Sequence, residues 1–247
     1  SLPSRGLGDV YKRQAYRTAL ALHGSGAHVV VVDLRRDLKG ELVKAVRAAG
    51  IEVMSGSAVT IAAGTQRIAR VEISPVNEGA TKVLNDPIHM DCDLLAMSGG
   101  LTPAVHLHSQ ARGKLGWDDQ QLCFKPTTVH EASFNAGAGN GVFATDKAIE
   151  NGMQAGTAAA RAAGFDIADS SAPEVAAPAQ SWRPLAAWKV TNGMGEGEGP
   201  KAFVDYQNDV TASDVKLAVR EGYQSVEHVK RYTTLGMATD QGKTSNI

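Results

Sequence analysis

The chain has 247 residues, of which 43% are hydrophobic and 21% charged, a composition typical of a soluble globular protein with one large domain or two modest ones. Its 25 basic and 26 acidic residues give a formal net charge of −1 and form no long run of either sign, which argues against nucleic acid or a membrane surface as a partner. The apolar runs are shorter than the roughly 20 residues that cross a bilayer. Cys92 and Cys123 stand far apart, outside any metal-type spacing, and are expected to be reduced thiols. We therefore expect a cytoplasmic protein.

The opening segment "SLPSRGLGDVYKRQ" differs from everything that follows it. It has scattered glycines, three basic residues and no apolar periodicity. We interpret residues 1–14 as a non-native leader and leave them out of the fold prediction. A native flexible leader is the alternative.

From residue 15 onward, helix and strand patterns alternate. "AYRTALALH" (15–23) places its apolar residues largely on one helical face, and the following glycines end that helix. "HVVVVDLR" (28–35) is a continuous apolar run that closes on an acid, which predicts a strand buried on both faces of a parallel sheet. Further predicted elements are a helix over 37–50, strands over 51–59 and 65–74, and a buried strand over 91–100 that ends in paired glycines. This order indicates an α/β fold.

A glycine-rich turn, "AGAGNG", precedes a predicted alanine-rich helix that begins near Thr145. Gly137, Gly139 and Gly141 can adopt positive φ without a Cβ penalty. Backbone N–H groups at a helix start can bind a phosphate. The segment "AMSGGLTPAV" contains a second glycine turn after a predicted strand, and the two turns together predict a ligand site. Ordinary structural turns are the alternative.

Residues 201–247 predict a small helical module. The first of its two predicted helices has Thr211 as N-cap and Asp214 at the capping-box position. The second helix is predicted to have the same capping arrangement, formed by Ser225 and His228.

Few residues suggest catalysis. Asp33 ends a strand that follows a helix, the place where a dinucleotide fold keeps an acid for the ribose hydroxyls. The motif G-x-G-x-x-G that should precede that helix is absent, so a solvent-facing acid at a strand end is the alternative. The seven histidines fall in no catalytic or metal-binding frame and are expected to be surface or capping groups. We predict no catalytic residue and no metal site in this chain.

Several segments resemble one known family. "AYRTALAL", "LLAMSGGLTPAVHL", "AGAGNG" and above all "KAFVDYQNDVTASDVKLAVREGYQSVEHVKRYTTLGMATDQGKTSN" are similar to the α subunits of heterotetrameric sarcosine oxidases. The resemblance covers residues 15–247 and implies a flavoprotein-like, FAD/NAD(P)-binding dinucleotide domain, incomplete in this internal fragment, followed by a small helical module. It divides the chain into an inserted nucleotide-binding-type subdomain without its first strand (15–90), the C-terminal part of the NAD-binding domain (91–165), a linker (166–200) and the helical module (201–247).

The resemblance also implies a reaction, cofactors and partners. Such enzymes convert sarcosine to glycine, with hydrogen peroxide and either formaldehyde or methylenetetrahydrofolate as further products. NAD is expected in the α subunit, FMN between the α and β subunits and FAD in the β subunit, with γ and δ subunits completing the assembly. The implied cofactor-binding residues are Gly137, Ala138, Gly141, Phe143 and Thr145 near the dinucleotide, Asp33 at a ribose, and Lys243 and Thr244 toward the FMN phosphate or the β subunit.

The helical module resembles iron–sulfur modules of related amine and opine oxidases. Here Asp205, Asn208, Thr239 and Asp240 stand near the positions where thiolates would be required, so we predict no iron–sulfur cluster. The missing cysteines favour sarcosine oxidase over the α subunit of an opine, proline or other amine dehydrogenase. A non-catalytic scaffold that has lost dinucleotide binding is the remaining alternative. The fragment is not expected to be active alone.

Overall fold

The computed structural model describes residues 5–6, 13–84, 86–98, 101–169, 171–175, 185, 201–240 and 242. The chain forms two compact units, one from residues 1–100 and 185–247 and the other from residues 101–184. This grouping places the helical module with the first 100 residues, and the predicted domain bounds remain predictions. Among the described residues, no helix has the length and apolar character needed to span a bilayer.

The first unit contains a parallel sheet with two helices. Its elements are β1 (Arg5–Gly6), α1 (Arg13–Gly24), β2 (His28–Asp33), α2 (Glu41–Ala48) and β3 (Glu52–Ser55), with strand order β1-β2-β3. The four valines at 29–32 are at most 5% exposed, as the continuous apolar run predicts. The two-residue β1 lies within the predicted leader and pairs in parallel with His28 and Val29, and the absence of the subdomain's own first strand stays a prediction.

Two glycines shift the predicted bounds. The helix predicted over 37–50 begins only at Glu41, because Gly40 has φ 119° and ψ 161°, which is not helical. The strand predicted over 51–59 is two strands, since Gly56 turns the chain with φ 65° between β3 and β4 (Ser57–Gly64).

A second, antiparallel sheet follows in the order β4-β5-β6, with β5 (Ile68–Pro75) and β6 (Ile88–Asp91). Val30 and Val32 of β2 share one buried cluster with Val71 and Ile73 of β5 and with Cys92. This cluster joins β2 to the antiparallel sheet and draws together residues about 40 positions apart in the chain.

The prediction of a buried strand over 91–100 is wrong for the part that the structure describes. β6 ends at Asp91, and the Cys92 N–H donates to the Ala69 carbonyl oxygen at 3.0 Å. Beyond it, Leu94 and Met97 are 44% and 60% exposed. A strand needs a neighbour for its backbone hydrogen bonds, and residues 94–98 make none with another strand in the described chain.

Part of the predicted linker is anchored. Within residues 166–200, Leu185 packs on a small buried cluster of the first unit. The members of that cluster are Leu34, Ala58, Val76 and Ala80.

The second unit is built from a hairpin, two helices and a glycine turn. Its elements are α3 (His106–Gln110), β7 (Lys114–Asp118), β8 (Cys123–Thr128), a 3₁₀ turn (Gly137–Asn140) and α4 (Thr145–Ala162). β7 and β8 pair antiparallel. The alanine-rich helix begins at Thr145, as predicted.

The helical module contains a two-stranded ladder and two helices: β9 (Phe203–Asp205), β10 (Val210–Thr211), α5 (Ala212–Arg220) and α6 (Val226–Thr233). The capping box at α5 is confirmed, because the Thr211 hydroxyl accepts the Asp214 N–H and the Asp214 carboxylate accepts the Thr211 N–H. The prediction of a second capping box, at the start of α6, is wrong. Ser225 makes no side-chain cap, and the His228 N–H donates instead to the Ser225 carbonyl oxygen at 2.9 Å.

Candidate functional site

The glycine turn is tied to the helix that follows it. Gly137 (φ 56°) and Gly141 (φ 73°) take the left-handed conformation that glycine tolerates, and Gly139 does not. The Val142 N–H donates to the Gly137 carbonyl oxygen at 2.9 Å and closes the turn. The Gly137 N–H donates to Oδ1 of Asn151 in α4 at 3.0 Å. The turn is thus held in place by α4 itself.

Five of the predicted cofactor residues lie along this turn and the start of α4: Gly137, Ala138, Gly141, Phe143 and Thr145. Ala138 and Thr145 are exposed, and Phe143 is half-buried. Ala144, at the N-cap of α4, makes no side-chain cap. Asp33 lies in the first unit, and Lys243 and Thr244 lie outside the described residues.

A lysine that sequence reasoning missed packs against the turn. A Cβ on Gly141 would collide with the side chain of Lys125 in β8. The Lys125 ammonium donates to Asp118 at 2.8 Å, and Asp118 also accepts the N–H groups of Gln120 and Gln121. These hydrogen bonds, that of Lys125 first, hold the pKa of the Asp118 carboxyl below its usual value. The signal in the sequence was "WDDQQ", in which an aspartate can cap its own turn.

A buried histidine was also missed. His108 is 4% exposed, so the expectation of a surface or capping group is wrong for this histidine. Its Nε2 lies 3.0 Å from the Lys114 carbonyl oxygen, and its Nδ1 lies 3.0 Å from Nδ2 of Asn135, two residues before the glycine turn. The imidazole therefore joins α3, the start of β7 and the segment that enters the turn.

Asp33 is fully buried, so the alternative of a solvent-facing acid is wrong. The Tyr16 hydroxyl donates to Oδ2 at 2.7 Å, and the Arg35 guanidinium donates to Oδ2 at 2.7 Å and to Oδ1 at 3.1 Å. Burial, followed by the hydrogen bond to Asp33, raises the pKa of Tyr16 well above its ordinary value. Both carboxylate oxygens are thus used inside the unit, and contact of Asp33 with a ribose remains a prediction.

The carboxylate of Asp205 holds two segments of the helical module together. Asp205 is buried and accepts backbone N–H groups from Gly236 and Gln207, both at 2.8 Å, and from Asn208 at 3.2 Å. These bonds, that of Gly236 first, lower the pKa of Asp205. They tie the β9–β10 turn to the segment after α6. Within the residues that the structure describes, no three or more His, Cys, Asp or Glu side chains are grouped to hold a metal ion.

The fold defines a class. The chain is mixed α/β, as predicted, and its parallel strands with their helices and its antiparallel sheet agree with an incomplete FAD/NAD(P)-binding dinucleotide fold. The L-proline dehydrogenase of P. horikoshii has a similar fold, with a TM-score of 0.50 and 17% identity over 97% of this chain and 42% of that chain. At this identity the likeness concerns the fold alone.

The family follows from closer relatives. A family model described as the sarcosine oxidase A3 domain matches residues 199–247. The sarcosine oxidase subunit alpha of Corynebacterium sp. strain P-1 is 37% identical over 233 residues, and that of strain U-96 is 38% identical over 236 residues. Each alignment covers 94% of this chain and 24% of the relative, so the chain spans about a quarter of the length of these curated relatives. The chain belongs to the family of sarcosine oxidase α subunits.

Proposed function

We propose that the chain is part of the α subunit of a heterotetrameric sarcosine oxidase, which converts sarcosine to glycine with release of hydrogen peroxide and of formaldehyde or methylenetetrahydrofolate. The observation that carries the proposal is the 37–38% identity to sarcosine oxidase α subunits across 94% of the chain. In this proposal the chain supplies dinucleotide-domain and flavin-interface surface, and the amine-oxidising site lies on the β subunit.

The glycine turn fits a dinucleotide. Gly137 and Gly141 are left-handed, and the side chain of Lys125 occupies the space that a Cβ on Gly141 would need. The 18-residue helix α4 follows directly, and the N–H groups at a helix start favour a pyrophosphate. We assign NAD to this turn, with Ala138, Phe143 and Thr145 along the same path. Bound NAD brings a nicotinamide that can carry a hydride, and the chain's own part is to hold the phosphates.

The remaining cofactors belong to the assembly. FMN is proposed at the interface with the β subunit near Lys243 and Thr244, FAD in the β subunit, and the γ and δ subunits complete a cytoplasmic enzyme. We propose no iron–sulfur cluster in the helical module. The whole chain has only two cysteines, and neither lies in that module.

The test uses the full-length α subunit co-expressed with its partner subunits. We expect sarcosine-dependent oxygen uptake, with NAD, FMN and FAD extracted in equal amounts. Gly141→Ala should lower the ratio of NAD to FAD, because the new Cβ displaces Lys125 and strains the turn. Gly152→Ala is the matched control, since its Cβ would meet no atom within 4 Å. A complex that does not oxidise sarcosine would refute the proposed reaction, and an active complex purified without NAD would refute the nucleotide assignment.

A second candidate function rests on the similar fold of the L-proline dehydrogenase. The α subunit of a proline, opine or other amine dehydrogenase would reduce a dye with that substrate and leave sarcosine untouched. The same substrate panel, with iron analysis of the purified complex, separates the two. A scaffold that has lost dinucleotide binding would give a complex without NAD.

A further inference from the structure

His108 is a buried titratable group that the proposed function does not use. It sits in the short helix α3, yet its imidazole is 4% exposed and both ring nitrogens have partners. The ring lies where a Cβ on Gly113 would have to be, so glycine is needed at that position to admit it. A side chain accommodated in this way has a defined orientation.

The partners determine which nitrogen carries the proton. The carbonyl oxygen of Lys114 can only accept, so Nε2 at 3.0 Å from it must donate. Nδ1 is then an acceptor, and the amide Nδ2 of Asn135, also at 3.0 Å, donates to it. The imidazole thus accepts a hydrogen bond from the Asn135 amide and donates one to the Lys114 carbonyl oxygen at the start of β7.

Asn135 leads directly into the glycine turn. Ala136 is extended, with φ −140° and ψ 158°, and the next residue, Gly137, is fixed to Asn151 of α4 by a 3.0 Å hydrogen bond. The entry of the turn is therefore held at two neighbouring points. One is the bond from Asn135 to His108, and the other is the bond from Gly137 to α4.

We propose that His108 is a positioning residue for the nucleotide turn: through Asn135 it sets the path of the backbone that enters residues 137–141, and so sets the affinity of the turn for a dinucleotide. This inference rests on the proposed function, because it takes the turn as the NAD site. His108 itself touches no cofactor in this proposal.

The test is the NAD dissociation constant of the complete enzyme, measured by equilibrium dialysis after bound nucleotide is removed. Asn135→Ala removes the donor and leaves the imidazole in place, and it should raise the dissociation constant about three- to tenfold, the effect of one lost hydrogen bond. His108→Ala should have an effect of similar size, and the double variant should show little more than either alone, because both act through one contact. His106→Ala is the matched control, since His106 is exposed in the same helix.

FAD and FMN contents and the thermal midpoint are recorded for each variant. A merely structural role would lower all of these together, whereas the positioning role changes NAD affinity while both flavins stay bound. If His108→Ala fails to fold, Asn135→Ala decides alone. An unchanged NAD dissociation constant in Asn135→Ala overturns this inference and leaves the proposed function standing. A wild-type enzyme that binds no NAD overturns the nucleotide assignment and this inference with it.

Discussion

The hydroxyl of Tyr16 offers the sharpest test of how the first unit is held together. Tyr16 and Asp33 are both 0% exposed, and their 2.7 Å hydrogen bond joins α1 to the end of β2. Tyr16→Phe removes this donor and keeps the ring. A hydrogen bond to a charged group contributes about 1.5–3 kcal/mol. Because Arg35 still donates to both oxygens, we expect the lower end, a loss of about 1.5 kcal/mol.

The assay is amide hydrogen exchange followed by mass spectrometry on the full-length subunit. A loss of about 1.5 kcal/mol corresponds to roughly tenfold faster opening, so the amides of residues 29–32 should exchange about tenfold faster in Tyr16→Phe. Tyr206→Phe is the control, because Tyr206 is 62% exposed. Unchanged exchange over β2 in Tyr16→Phe would refute the idea that this bond holds the unit.

The same pair predicts an alkaline limit. Burial first, then Asp33, raises the pKa of Tyr16 above its ordinary 10.0. The unfolded chain therefore loses this proton at lower pH than the folded one. The resulting stability is fully present below about pH 10 and is lost as pH rises from there toward the folded pKa. Tyr16→Phe should flatten this alkaline loss, which exchange measured across the same pH range would detect.

Three further outcomes are expected. Thr211→Ala should destabilise α5 by about 1 kcal/mol in exchange experiments, because it removes the helix cap. The hydrogen bond from the Thr211 hydroxyl is the largest cause that lowers the pKa of Asp214. The destabilisation should therefore be full above the ordinary carboxyl pKa of 3.8 and disappear on acidification below it. Gly113→Ala should destabilise the second unit by about 1–3 kcal/mol, because a Cβ at this position collides with the imidazole of His108. A thermal midpoint equal to that of the wild type would contradict this. Peptides containing Cys92 and Cys123, which are 6% and 3% exposed, should resist a thiol reagent until the protein unfolds, and rapid labelling of either would show that its burial is transient.

Local patterns predicted the elements whose causes are local. The apolar run at 28–35 and the capping box of Thr211 and Asp214 depend on residues within a few positions of each other, and both were predicted correctly. The strand over 91–100 was wrong because a strand depends on a hydrogen-bonding neighbour elsewhere in the chain. An apolar run alone does not reveal whether that neighbour exists.

The site contacts depend on longer separations still. Tyr16 lies 17 residues from Asp33, and His108 lies 27 residues from Asn135. The helical pattern placed Tyr16 on an apolar face, but it carried no information about the carboxylate that its hydroxyl meets. Asp33 therefore looked like a free acid at a strand end, although its partners lie in a preceding helix and two residues onward.

The carboxylate of Asp205 has a consequence for durability. Its bonds to the N–H groups of Gly236, Gln207 and Asn208 contain no atom that ordinary oxidants attack. Peroxide drives exposed thiolates step by step toward sulfinic and sulfonic acids, whereas a carboxylate bound to amides is inert to it. Under the proposed function, in which the assembled oxidase releases peroxide, the hydrogen bonds of Asp205 withstand that product.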